Sequence, residues 1–121
     1  MIDVTIANFD AEVIEASQTP PVLVDFWAPW CGPCKSLGPV LEKVEAAYNG
    51  RFKLVKINSD DEQELAGAVV IRNSPTCVLM TEGKPVDGFM GALPEGQVKA
   101  FLDKHLPAEE ELQALAEEEE A

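Results

Sequence analysis

In the stretch PVLVDFW, residues 21–27, alternate positions put Val22, Val24 and Phe26 on one face of a strand and Leu23, Asp25 and Trp27 on the other. Both faces are apolar apart from one acid, which predicts a central strand covered on both sides. Downstream, Leu37, Leu41, Val44 and Tyr48 recur at spacings of three and four, so a helix is expected from about Cys34 to Tyr48. KLVKIN, 53–58, reads as the next strand, and the strand, helix, strand order predicts a parallel pair. Near the start, VTI at 4–6 reads as a short strand, and Asn8 is placed to cap a helix bearing Phe9, Val13 and Ile14. Ser59 and Glu62 have capping-box spacing ahead of a short helix with Leu65, Ala66 and Val69. CVLM (77–80) and PVDGFM (85–90), joined through EGK, predict an antiparallel hairpin. A last amphipathic helix within PEGQVKAFLDKHL, 94–106, turns Val98, Phe101, Leu102 and Leu106 inward. Helices interleaved with strands and closing on a hairpin make a three-layer α/β domain.

Composition divides the chain in two. A length of 121 residues with 46% hydrophobic content suits one domain with a single ordinary core. Residues 107–121, PAEEELQALAEEEEA, depart from that composition abruptly, so the expected organisation is a domain over 1–106 and an acidic, helix-prone tail or linker over 107–121. Net charge is −13, but the tail holds seven of the 22 acidic residues and no Lys or Arg, which leaves −6 for the rest. A surface this acidic repels phosphate backbones and anionic lipid, so neither nucleic acid nor membrane is expected as a partner. No apolar run approaches the roughly 20 residues that span a bilayer. The start, MIDVTIANFD, has no basic region followed by an apolar one, and a cytoplasmic location is expected. Three cysteines, an odd number, fit a reducing compartment better than a disulfide framework.

Two of those cysteines, in WCGPC, stand three positions apart just where the long helix should begin. A thiolate, not a thiol, attacks disulfides, and a helix N-terminus favours negative charge because its first N–H groups have no helical partner. With Cys31 at the cap and Pro33 in the first turn, the N–H groups of Cys34 and Lys35 can point at the Cys31 sulfur. The i, i+3 spacing brings Cys34 to the same side, one turn deeper, so Cys31 is expected as the exposed attacker and Cys34 as the buried resolver. Zinc would need two further ligands, and the chain offers Cys77 and His105 without ligand-type spacing, so no metal site is expected. An inert disulfide would close too short a loop to stabilise much. A redox dithiol is the reading the residues favour. Asp25, on a face otherwise made of Leu23 and Trp27, should have its pKa raised by desolvation, unless it is a solvated acid at a strand edge. Cys77 reads as a buried apolar filler.

WCGPC after VDFWA, with KSLGP following, resembles the thioredoxin family, and the likeness runs from about Ile2 to Leu106. Pro39, Lys56 in KIN, Ser74-Pro75-Thr76 and GAL at 91–93 carry it further. The resemblance implies the thioredoxin fold, a three-layer α/β/α arrangement with a five-strand mixed sheet and four helices. It implies Cys31 as nucleophile and Cys34 as resolving thiol, joined in a redox-active disulfide with no bound cofactor. Asp25 would take the proton of Cys34, with Lys56 nearby. Trp30 and Gly32 would shape the site, with Pro75 as a cis-proline facing the disulfide, although only about 5–6% of X-Pro bonds in folded proteins are cis. Ser74 replaces the bulky apolar residue usual before that proline, so its hydroxyl either tunes the redox poise or is a neutral exchange. Trp30, Pro33, Pro75 and Ala92 would form an apolar rim. The implied partners are disulfide-containing or unfolded client proteins and a thioredoxin reductase that supplies electrons. The stretch from Pro85 to Leu112 also resembles the thioredoxin domain of bacterial co-chaperones that carry tetratricopeptide repeats. That likeness implies a second role, a client-binding domain working with chaperones through mixed disulfides.

Overall fold

A computed structural model of the chain describes residues 1–68, 74–106 and 117–118. In chain order the strands are β1 (Ile2–Asp3), β2 (Val22–Trp27), β3 (Lys53–Asn58), β4 (Thr76–Thr81) and β5 (Lys84–Met90). The helices are a π-type N-terminal helix (Asp10–Glu15), α1 (Gly32–Tyr48), α2 (Gln63–Ala68) and α3 (Glu95–Asp103), and a 3-10 turn spans Ala16–Gln18. The sheet order is β1-β3-β2-β4-β5. β1 and β2 each lie parallel to β3, while β4 runs antiparallel to both β2 and β5, so the sheet is mixed.

β2 is the central strand its pattern predicts, and its alternation decides which core each residue joins. Val22, Val24 and Phe26 pack with Val55, Ile57, Leu65 and Val13 beneath the N-terminal helix and α2. Leu23 faces the other way, into a core with Leu37, Leu41 and Val44 of α1, Cys77 and Leu79 of β4, and Val98, Phe101 and Leu102 of α3. Asp25 is two residues along from Leu23 and therefore belongs to the α1 side of the sheet. At the far end of α1, Tyr48 donates its hydroxyl to Asp103 at 2.8 Å and fastens α1 to α3. Asn49, in the left-handed conformation with φ 48°, stops α1 there.

Several expectations are corrected. The first strand is Ile2–Asp3, not 4–6, because these residues have Val55 and Lys56 opposite them in β3. Asn8 does not cap the helix after it. Its Oδ1 accepts from the Thr5 N–H at 2.7 Å and its Nδ2 donates to the Asp3 carbonyl, so the side chain closes the preceding turn instead. The capping box before α2 does not form either: the Ser59 hydroxyl is buried without a partner, and Glu62 accepts from the Ile6 N–H. Asn58 takes the turn, its Oδ1 accepting from Asp60 and Asp61. α1 starts two residues earlier than its apolar spacing suggests, since the first turn is set by its cap and Pro33. The hairpin is present as expected, with Glu82 and Gly83 both at positive φ, 54° and 77°, the requirement of a tight two-residue turn. Val69 and the tail over 107–121, apart from residues 117 and 118, lie outside the described residues.

Candidate active site

The end of β2 and the start of β4 lie at the same edge of the sheet, because the two strands are antiparallel with Phe26 opposite Thr76. The loop 28–31 leaves that edge from β2, and the Ser74–Pro75 peptide, which is cis, enters it before β4. Topology thus brings together CGPC, Ser74 and Pro75, which lie some forty positions apart in sequence. Gly91 at the end of β5 joins them, its N–H donating to the Pro75 carbonyl at 2.9 Å.

Cys31 is the N-cap of α1, and its sulfur accepts from the N–H of Cys34 at 3.2 Å. Cys31 and Cys34 are joined in a disulfide, with Cα atoms 5.3 Å apart. The expected contrast between an exposed Cys31 and a buried Cys34 is not found: Cys31 is 2% exposed and Cys34 7%. In this bonded state the two sulfurs cover each other and pack with Ala28 and Trp27. What stands out to solvent is the rim. Trp30 is 72% exposed, and Gly32, Pro33 and Ala92 are exposed beside it, whereas Pro75 is buried and does not belong to the outer surface. A Cβ at Gly32 would meet nothing within 4 Å, so the fold itself does not require glycine there. The bare backbone leaves the approach to the sulfurs open. The Trp30 indole is held by donating to Asp60 at 3.0 Å.

Behind the disulfide is a cavity of ≈ 290 Å³ bordered by Asp25, Trp27, Cys34, Lys35, Glu42 and Lys56, among others. Asp25 is 2% exposed, which settles against a solvated acid at a strand edge. Loss of hydration pushes its pKa up to about 6, against the opposing pull of the Lys56 charge and a hydrogen bond from Cys77. Lys56 is opposite Asp25 in the β2–β3 register, yet its ammonium pairs with Asp3 at 3.5 Å and lies 5.4 Å above the Trp27 ring. It therefore acts on Asp25 as a field across the cavity. The cavity has room for water, which can carry a proton between the carboxyl group and Cys34.

Sequence reasoning missed three features. Cys77 is more than filler, since its Sγ lies 3.9 Å from Oδ1 of Asp25. That contact is set by strand register, which residue patterns alone do not fix. The Trp30–Asp60 bond joins two loops and has no local signal. Met90, large, apolar and exposed, ends β5 opposite Thr76 and so adds to the same rim. His105, just after α3, pairs with Asp87 of β5 at 2.7 Å. Among the described residues there is no group of three or more His, Cys, Asp or Glu side chains arranged to hold a metal. No helix among them is long and apolar enough to cross a membrane.

The thioredoxin family model matches residues 1–104. Thioredoxin 1 of Synechococcus elongatus is 45% identical over 103 residues, 85% of this chain and 94% of that protein. Thioredoxin of Chlorobaculum thiosulfatiphilum is 40% identical over 104 residues, covering 86% of this chain and 94% of its own. Thioredoxin of Haemophilus influenzae is 40% identical over 100 residues, 83% and 92% of the two chains.

Proposed function

This chain belongs to the thioredoxin family and is a thioredoxin-like thiol–disulfide oxidoreductase; from that premise we propose that it reduces disulfides of client proteins in a reducing compartment such as the cytoplasm. The observation that carries this reading is the placement of Asp25, buried behind the disulfide and bordering the same cavity as Cys34.

In the first step the reduced Cys31, as thiolate at the mouth of α1, attacks one sulfur of a client disulfide. A mixed disulfide forms and the other client sulfur leaves as thiolate. In the second step Cys34 gives its proton to Asp25, directly or through water in the cavity, and its thiolate attacks the Cys31 sulfur. The Cys31–Cys34 disulfide forms, the second client thiolate leaves, and the client has gained the two electrons the dithiol has lost. A base in Asp25 suits the second step because burial lifts it to about 6, close enough to neutral pH to accept and return a proton readily. Lys56 steadies the carboxylate from across the cavity. A thioredoxin reductase restores the dithiol. Trp30, Gly32, Pro33 and Ala92 meet the client, with Ser74 and Pro75 shaping the edge behind them.

The exposed rim of Trp30 and Met90 also favours a second reading, in which the domain holds unfolded clients alongside chaperones. Insulin-disulfide reduction coupled to NADPH and a thioredoxin reductase tests the first reading, and suppression of aggregation of an unfolding client tests the second. Steady NADPH oxidation that vanishes in Cys31→Ser is the expected result. Absence of turnover in the intact protein would overturn the reductase reading.

A further inference from the structure

Cys77 takes no part in the exchange chemistry, yet its position is not that of a bystander. It lies on β4 opposite Asp25 in the β2–β4 register and is 0% exposed. Its Sγ is 3.9 Å from Oδ1 of Asp25, within reach of a sulfur hydrogen bond. Its other neighbours, Leu23, Leu79 and Phe101 among them, form an apolar core that any residue of similar size would fill. What the thiol adds is a donor aimed at the buried carboxylate of Asp25. Among the described residues it is the donor that reaches that group.

We propose that Cys77 is a positioning residue for the buried carboxylate: its S–H holds Oδ1 of Asp25 in the ionised form and leaves the second oxygen for the proton that Cys34 gives up. This rests on the reading of Asp25 as the base for Cys34. Burial and the adjacent carboxylate raise the ionisation of Cys77 well above the ordinary thiol range, so the donor stays protonated wherever Asp25 titrates. A thiol is a weak donor, but an ionised acceptor in a low-dielectric site strengthens the bond. The other charged or titratable groups facing Asp25 are Lys56 from β3, Cys34, Lys35 and Glu42 from α1, and the Met1 end of the chain, which also borders the cavity. The Met1 amino group is 4.0 Å from the Glu42 carboxylate.

The oxidised protein gives a clean test, since Cys31 and Cys34 do not titrate when bonded. The Asp25 carboxyl carbon is followed by NMR through a pH titration in wild type, Cys77→Ala and Cys77→Ser. Removing the donor should raise the midpoint by about one pH unit, a tenfold gain in proton affinity, while serine, which restores a donor, should keep it at or below the wild-type value. An unchanged midpoint in Cys77→Ala, or one in Cys77→Ser that rises as far, overturns the proposal. If the alanine variant does not fold, Cys77→Val and Cys77→Thr give the same comparison, since they share a shape and differ in the hydroxyl. In the reduced protein, Cys77→Ala should slow release of a mixed disulfide about fivefold at pH 6 and hardly at all at pH 8, where Asp25 is ionised in both. Equal slowing at both values would mark a packing effect and count against it. Failure of the base reading shows separately: Asp25→Asn would then release the mixed disulfide as fast as wild type, while the titration comparison still decides what Cys77 does.

Discussion

The Trp30 indole N–H donates to Oδ2 of Asp60 at 3.0 Å, which ties the exposed ring beside the disulfide to the loop that follows β3. The bond joins the loops that leave the ends of the paired strands β2 and β3, outside the ladder itself, so it orders the rim without supporting the core. Asp60→Ala should therefore raise KM for a protein disulfide about two- to fivefold, the range expected from losing one exposed hydrogen bond of about 0.5–1 kcal/mol. Thermal stability and kcat should barely move. A lowered Tm with an unchanged KM would show that the contact serves the fold instead.

Asp25 makes stability fall as pH rises. Its folded pKa, about 6, is above the ordinary carboxylate value of 3.8, so the folded state holds this proton more tightly than the unfolded state. The favourable contribution is complete below pH 3.8 and is lost as pH rises through about 6. Above that, the buried charge costs on the order of 3 kcal/mol. Asp25→Asn should relieve most of that cost at pH 8 and give no gain at pH 3.5, as read from urea denaturation midpoints at the two values.

The same substitution should carry a kinetic penalty. Removing a general base typically slows a step by 10²- to 10⁴-fold. Single-turnover release of a labelled client from the mixed disulfide should slow by about that factor in Asp25→Asn, with formation of the mixed disulfide largely unaffected. Equal slowing of both steps would place the effect outside the proton transfer.

Gly88, on β5, lies against the backbone of β4. A Cβ there would be 2.8 Å from the Cys77 carbonyl oxygen, closer than side-chain carbons are found in proteins, and that oxygen belongs to the backbone and cannot swing aside. Gly88→Ala should destabilise by about 1–3 kcal/mol through overpacking. Because the displaced carbonyl belongs to Cys77, the Asp25 titration should shift as well, whereas an exposed change such as Lys84→Ala at the start of the same strand should leave both unchanged.

Alkylation separates the three thiols. Once the disulfide is reduced, the Cys31 sulfur sits at the start of α1 with the exposed Gly32 and Pro33 over it, while Cys77 remains enclosed by both neighbouring strands. Brief iodoacetamide treatment of the reduced native protein at neutral pH should modify Cys31 first and leave Cys77 untouched, as peptide mass mapping would show. Early modification of Cys77 would contradict its enclosure between β2 and β5.

The two-faced apolar pattern of residues 22–27 made the central strand legible, and the three-and-four spacing of Leu37 to Tyr48 made its covering helix legible. Both signals come from extended burial, which many residues report at once. Local hydrogen bonding was read less well. Asn8 and Ser59 both carry the right chemistry for a cap, but each choice was decided by a competing partner a few residues away, Thr5 in one case and Asn58 in the other. The dithiol and the buried acid could be read because each depends on its own neighbours in the chain. The Asp25–Cys77 contact could not, because it needs the exact register of two strands some fifty residues apart. Nor could the closeness of the two bonded sulfurs to full burial, which depends on Ala28 and Trp27 packing over them.

Enclosure of Cys77 has a practical corollary. Two of the three sulfurs satisfy each other and the third faces only interior atoms, so no sulfur is left to bridge separate copies of the molecule. In air the protein should persist as one covalent species, and a gel run without reductant should show no ladder of cross-linked multimers.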